Sequence, residues 1–208
     1  MRYGILTILL SSLVMTAFAS MSEETIFTHY GEMVFRPDST TLCIITTGGD
    51  TLSFDDIPYP ETYGNFNVYT VISYLPEQNY WVLHIHGFEW IDWLLVSGNN
   101  GREDLAISEP ILSPGGTRLL CVSADLEVGE YYANGIQIWR IDEDSLALEF
   151  EDLDMPWEPH IVKWVTDSVI VLNKEYWDWS TYEVEIHSGR LELSSDETWV
   201  PDDPESWE

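Results

Sequence analysis

His84 and His86 stand two apart in the run Tyr80-Trp81-Val82-Leu83-His84-Ile85-His86. On a strand, both imidazoles project from one face, while Trp81, Leu83 and Ile85 project from the other and suit a core. Two histidines so placed can share a metal ion with a third ligand from a neighbouring strand. The sequence names no such ligand, and a half-buried structural pair is the expectation. A second candidate is the segment Asp125-Leu126-Glu127-Val128-Gly129-Glu130-Tyr131-Tyr132-Ala133-Asn134-Gly135. Asp125, Glu127, Glu130 and Asn134 offer oxygen ligands, and calcium takes six to eight of them. Their spacing is not that of an EF-hand or a nonapeptide calcium repeat. Calcium is therefore a weak expectation, and no other cofactor is expected. A third candidate is Tyr176-Trp177-Asp178-Trp179-Ser180-Thr181. Tyr176, Trp177 and Trp179 read as an aromatic loop between two strands, and exposed aromatic clusters anchor partners.

Catalytic patterns are sparse. No G-x-S-x-G elbow and no H-E-x-x-H pair occurs. Carboxylates are abundant, as in Asp142-Glu143-Asp144 and at Asp152 and Asp154. A glycosidase would set two of them about 5 to 10 Å apart in an aromatic cleft. Trp157, Trp164, Tyr176, Trp177 and Trp179 are dense enough to line one, although aromatics ordinarily fill sheet faces in β proteins.

Bulk properties narrow the field. Thirty-seven acidic residues face eight basic ones, a formal charge of −29. Such a field repels phosphate backbones and anionic lipid, so neither nucleic acid nor an acidic membrane surface is an expected partner. Residues 1–19 read as a cleavable signal peptide. Arg2 begins it, an uncharged apolar run follows, and Ala17-Phe18-Ala19 provides the small-x-small cleavage site. The mature chain is expected to start near Ser20 and to reside in a periplasm or outside the cell, with no membrane span left after cleavage. No cysteine follows the cleavage site to accept a lipid. Hydrophobic residues make up 45 %, with ten tryptophans and eleven tyrosines, which is the composition of a packed domain. Cys43 and Cys121 both sit inside apolar runs, where free cysteine behaves as a small hydrophobe. Export permits a disulfide, but their similar places in two similar segments argue for equivalent positions in separate sheets.

The elements that must position these residues are strands. Period-2 alternation and short β-branched or aromatic runs recur, and Gly-Gly, Pro-Gly-Gly and Ser-Gly turns separate them. No window after the signal shows a helical stripe. Four units emerge, at about 30–56, 66–100, 109–150 and 160–194. Each is a meander, and internal repetition at roughly 35–45 residues points to a propeller or related array. In the fourth unit strands are expected near Ser168–Leu172 and Thr181–Ile186. Expected core residues are Ile44, Leu83, Ile85, Leu119, Val122, Ile136, Ile138, Val169 and Val171. The stretch 195–208 is acidic and carries Pro201 and Pro204, so it reads as a solvated tail. Trp199 and Trp207 are unusual for pure solvent, and one of them is expected to dock.

Two units share more than rhythm. The first contains Phe35-Arg36-Pro37-Asp38-Ser39-Thr40-Thr41-Leu42-Cys43, and the third Leu112-Ser113-Pro114-Gly115-Gly116-Thr117-Arg118-Leu119-Leu120-Cys121. The third continues into Gly135-Ile136-Gln137-Ile138-Trp139-Arg140-Ile141-Asp142. This resembles one blade of the propeller repeats of exported bacterial proteins, such as the Tol-type propeller and the tryptophan–aspartate repeats. Their pattern is F-S-P-D-G, then an apolar strand, then a strand ending in Trp and Asp. Gly115 replaces the turn Asp, and Ser39 replaces the turn Gly in the first unit. The likeness covers about one and a half blades and implies fold, not activity. The expected fold is therefore all-β, about four antiparallel meanders in a propeller-like array, with a two-sheet sandwich as the alternative. The expected function is a non-catalytic exported binding or scaffold domain for a protein or glycan; the alternative is a carboxylate-dependent hydrolase acting on carbohydrate.

Overall fold

Short β-branched and aromatic runs separated by turn residues become antiparallel strands along the chain. The computed structural model describes residues 21–57, 66–88, 90–124, 133–178, 180–203 and 207. The expected leader lies outside them. The described residues form four sheets, each a meander in chain order. The first holds β1 (Val34–Phe35), β2 (Thr41–Ile45) and β3 (Thr51–Asp55). The second holds β4 (Asn67–Leu75), β5 (Tyr80–Gly87), β6 (Ile91–Ser97) and β7 (Glu103–Ala106). In the third are β8 (Ile111–Leu112), β9 (Arg118–Ser123), β10 (Gly135–Ile141) and β11 (Leu146–Asp152). The fourth runs through β12 (Glu158–Thr166), β13 (Val169–Asp178), β14 (Glu183–Leu193) and β15 (Trp199–Pro201). The fold is all-β, as the four expected meanders require. No helix among the described residues is long and apolar enough to cross a membrane.

The sheets stack face to face in chain order. Sandwich packing is thus repeated three times. β5 shows why. Trp81, Leu83 and Ile85 join Val34, Leu42, Ile44 and Phe54 of the first sheet in one apolar cluster. Tyr80 and Val82 point the other way and join Leu119, Cys121, Trp139 and Leu146 of the third sheet. A strand covered on both faces needs apolar residues at consecutive positions, and β5 has them. Leu120, Ile136 and Ile138 leave the far face of the third sheet to meet Trp157, Trp164, Ile170, Leu172 and Leu191. Among the described residues no apolar cluster joins the first sheet to the fourth. Of the expected core, Ile44, Leu83, Ile85, Leu119, Ile136, Ile138 and Val169 are buried. Val122 and Val171 are half-buried.

Three features depart from expectation. The first is a helix, α1 (Glu23–Tyr30), capped by Ser22, whose Oγ accepts from the Thr25 amide. Ile26 is its one buried residue, too few to print a stripe on the sequence. α1 packs beside β1 and against β4, in the place a first strand would take. Its Glu23 accepts the Val71 amide on the outer edge of β4, as Asp56 accepts the Tyr69 amide two residues before it. The second is the C-terminal stretch. It is not a solvated tail: Trp199 and Val200 pair with Leu193 and Glu192, and both Trp199 and Trp207 are buried. Their indoles join the cluster on the inner face of the fourth sheet, and Asp202 and Asp203 between them are exposed. The third concerns the two proline turns that look alike in sequence. Arg36, at the first, bonds Asp56 and the Tyr69 carbonyl, whereas Thr47, at the other end of that meander, bonds Gly98. The Ser113–Thr117 turn lies at the Gly98 end, since Gln78 donates to the Gly116 carbonyl. The two turns therefore sit at opposite ends of the stack.

Turns at that end lace neighbouring sheets together. Asn100 donates to the Asp144 carbonyl at 2.8 Å. In the first unit Asp38 keeps its own turn, accepting from the Thr40 and Thr41 amides. At Gly115, where the blade pattern has Asp, the carboxylate comes from the next sheet. Asp167 accepts from the Gly115 amide at 2.6 Å and from the Thr117 hydroxyl at 3.2 Å. A Cβ on Gly115 would lie 2.0 Å from Asp167 Oδ2. Gly115→Ala is expected to lower stability by about 1 kcal/mol, because the exposed Asp167 carboxylate must swing away from its turn. Asp167→Ala should cost less, and the double variant should fall short of the sum because both break one contact. Urea melts of the three variants check this.

Candidate functional site

Tyr176, Trp177 and Asp178 lie in the fourth sheet, on a strand and not in a loop, and Ser180 and Thr181 lie in the turn beyond it. β13 runs on through Asn173, Lys174 and Glu175 to Asp178, and every residue of it pairs with β14. The expected strand ended at Leu172 because the next three residues are polar. Their alternation continues nevertheless: Ile170, Leu172, Lys174 and Tyr176 face the third sheet, while Val171, Asn173, Glu175 and Trp177 face outward. Tyr176 meets His187 edge-on at 5.2 Å between centroids. Trp177 Nε1 donates to Glu158 Oε2 at 3.1 Å. Trp179 lies outside the described residues.

The result is a long hairpin whose distal part stands clear of the stack. All residues from Thr181 to Ser188 are exposed, with Tyr182 at 79 % and Ile186 at 60 %. Val184 is opposite Trp177 and is also exposed. Tyr182 closes the turn in the left-handed region, φ 59°, and its amide donates to the Asp178 carbonyl. Asp178 also accepts from the Ser180 hydroxyl and amide, which hold its carboxyl below the usual range.

Behind the hairpin lies a residue the sequence did not single out. Lys174 is 1 % exposed, with its Nζ 5.3 Å from the Trp157 ring centre and 4.9 Å from that of Trp207. Burial depresses its pKa, and Asp202 and Asp203 partly restore it. Indole faces favour a cation. The signal was its place in register with Ile170 and Leu172, legible only once the strand is known to continue.

The other candidates fall elsewhere. Asp125, Glu127 and Glu130 lie outside the described residues. Asn134 is buried, and its amide nitrogen donates to the Met155 and Trp157 carbonyls. That nitrogen ties the start of β10 to the approach to β12. His84 and His86 do share a face, rings nearly parallel and 6.3 Å apart, against Trp93 and Phe66. Burial, with His86 beside it, lowers the His84 pKa. Among the described residues no three His, Cys, Asp or Glu side chains gather as a metal set. Cys43 and Cys121 are free and buried in the first and third sheets, with the second sheet between them. Burial pushes the Cys121 thiol up to about 12.

Two depressions stand out. One of about 380 Å³ lies on the outer face of the fourth sheet, among Ile161, Lys163, Val171, Arg190 and Asp202. Another of about 150 Å³ lies between the second and third sheets, near Asp92 and Gln137. Each has one carboxylate and no aromatic lining residue. Neither offers the paired carboxylates in an aromatic groove that a glycosidase needs. Comparison with known protein families, with curated proteins and with solved structures finds no match.

Proposed function

We propose that this chain is an exported, non-catalytic binding domain that engages a protein partner through the β13–β14 hairpin. One observation carries the reading: the hairpin exposes Tyr182, Val184 and Ile186 beside Trp177, clear of the three apolar interfaces that hold the fold. Large apolar groups held on a projecting element mark interaction sites. The signal-like leader and the blade resemblance support the exported scaffold. An exposed hairpin of large apolar side chains suits a protein surface. Tyr182 replaced by a photo-crosslinking phenylalanine tests the proposal in the envelope fraction of the source cells. A discrete adduct is expected, lost when Ile186→Asp is added. No adduct, or the same adduct from a crosslinker at Asp38, would overturn it.

A further inference from the structure

We infer that the partner binds by adding a strand to the free edge of β14, and that its strand alternates basic and apolar residues. This deepens the proposed hairpin site and rests on it. β14 has eleven residues and pairs with β13 from Glu183 to Glu192. On its other side β15 pairs only with Leu191, Glu192 and Leu193, and Asp202 bonds Arg190. From Glu183 to Ser188, therefore, no described strand takes the outward amides and carbonyls. Six residues at about 3.3 Å each make an edge of roughly 20 Å. Such an edge is a template for an incoming chain.

The side chains define what fits. Glu183, Glu185 and His187 lie on one face, with Asp178 directly opposite Glu183. Like charges opposite each other across a sheet are destabilising, and the Ser180 bonds keep Asp178 ionised. A basic side chain on the next strand would relieve that pair. Val184 and Ile186 lie on the other face beside Trp177, and apolar neighbours would cover them. A second copy of this chain is a poor occupant, because it carries the same carboxylates and a charge of −29. The complementary occupant is an extended segment with Lys or Arg at every second position.

The test uses the mature chain and two synthetic peptides of equal charge. Each is an end-blocked alternation of Lys and Val over eight residues, and one is N-methylated at alternate amides to remove the ladder donors. Titration calorimetry should show the unmodified peptide binding at least about tenfold tighter, since two or three ladder hydrogen bonds are lost in the other. Hydrogen exchange at 183–188 should slow with the unmodified peptide only. Glu183→Lys with Glu185→Lys, both exposed, should remove the difference. Equal binding of the two peptides, or no binding, overturns strand addition. If crosslinking at position 182 still captures a protein in that case, the hairpin stands as the partner site and only the mode fails.

Discussion

Removing residues 195–208 is expected to abolish cooperative folding of the fourth sheet. Trp199 is 4 % exposed and Trp207 9 %, and both lie in the cluster between the third and fourth sheets. Trp207 meets Trp157 edge-on at 5.0 Å, and Trp199 meets Trp164 at 6.0 Å. Truncating one buried aromatic costs about 3–5 kcal/mol, so losing two removes roughly 6–10. A domain of this size holds about 5–15 in total. Trp207→Ala alone should cost about 3 kcal/mol. It should also open the Lys174 side chain to solvent, so that an acylating reagent reaches its neutral amine fraction, which is shielded in the natural chain. Urea melts and mapping of the labelled lysine check both parts. A truncated chain that melts cooperatively at an unchanged midpoint would contradict the packing described.

Glu149→Ala is the second large expected loss, about 3 kcal/mol, because it strips one partner from a buried ionic set. Glu149 is 7 % exposed at its side chain. Arg118 reaches it with two nitrogens, at 2.7 and 3.2 Å, and Arg140 with one at 3.3 Å. Trp199 Nε1 donates from the fourth sheet at 3.1 Å. One carboxylate thereby joins three strands of the third sheet to β15. Burial pushes its pKa up, but the bonds from Arg118 and Trp199 and the Arg118 and Arg140 charges outweigh it, and the net shift is downward from 4.5. A carboxylate with a depressed folded value binds fewer protons folded than unfolded around that value. Its stabilisation is therefore complete above the ordinary value and lost as pH falls through the folded one. The stability gap between the natural chain and Glu149→Gln should shrink from about pH 6 to about pH 3. A constant gap would show that the ionised form is not what matters.

The sequence made the strands legible where both the alternation and its purpose were local. β5 is the clearest case: histidines on one face and Trp81, Leu83 and Ile85 on the other can be read from spacing alone. The meanders followed, because tight turns join strands adjacent in the chain. Features set by distant contacts were not legible. Asp167 replaces a turn carboxylate from another sheet, fifty-two positions away from Gly115. The strand looked finished before Lys174 because lysine rarely faces a core, and the indoles of Trp157 and Trp207 that face its ammonium come from distant segments. The Trp199 and Trp207 segment was hidden by the carboxylates around it. For the candidate site, Tyr176 and Trp177 were found by composition. Their place on a projecting hairpin was not, since that depends on how far β12 and β15 extend beside them.

The most direct measurement separates the hairpin from the fold. Residues 176–185 are replaced by Asn-Gly, which joins Glu175 to Ile186, already paired across the hairpin, through a two-residue turn. Melting temperature and photo-crosslinking are then followed together, with the crosslinker placed at Ile186 in both chains. The account predicts a melt that stays cooperative, lowered by about 2 kcal/mol because Tyr176 leaves the edge of the inner cluster, and loss of the adduct. A chain that no longer folds, or one that still captures the partner, would contradict it.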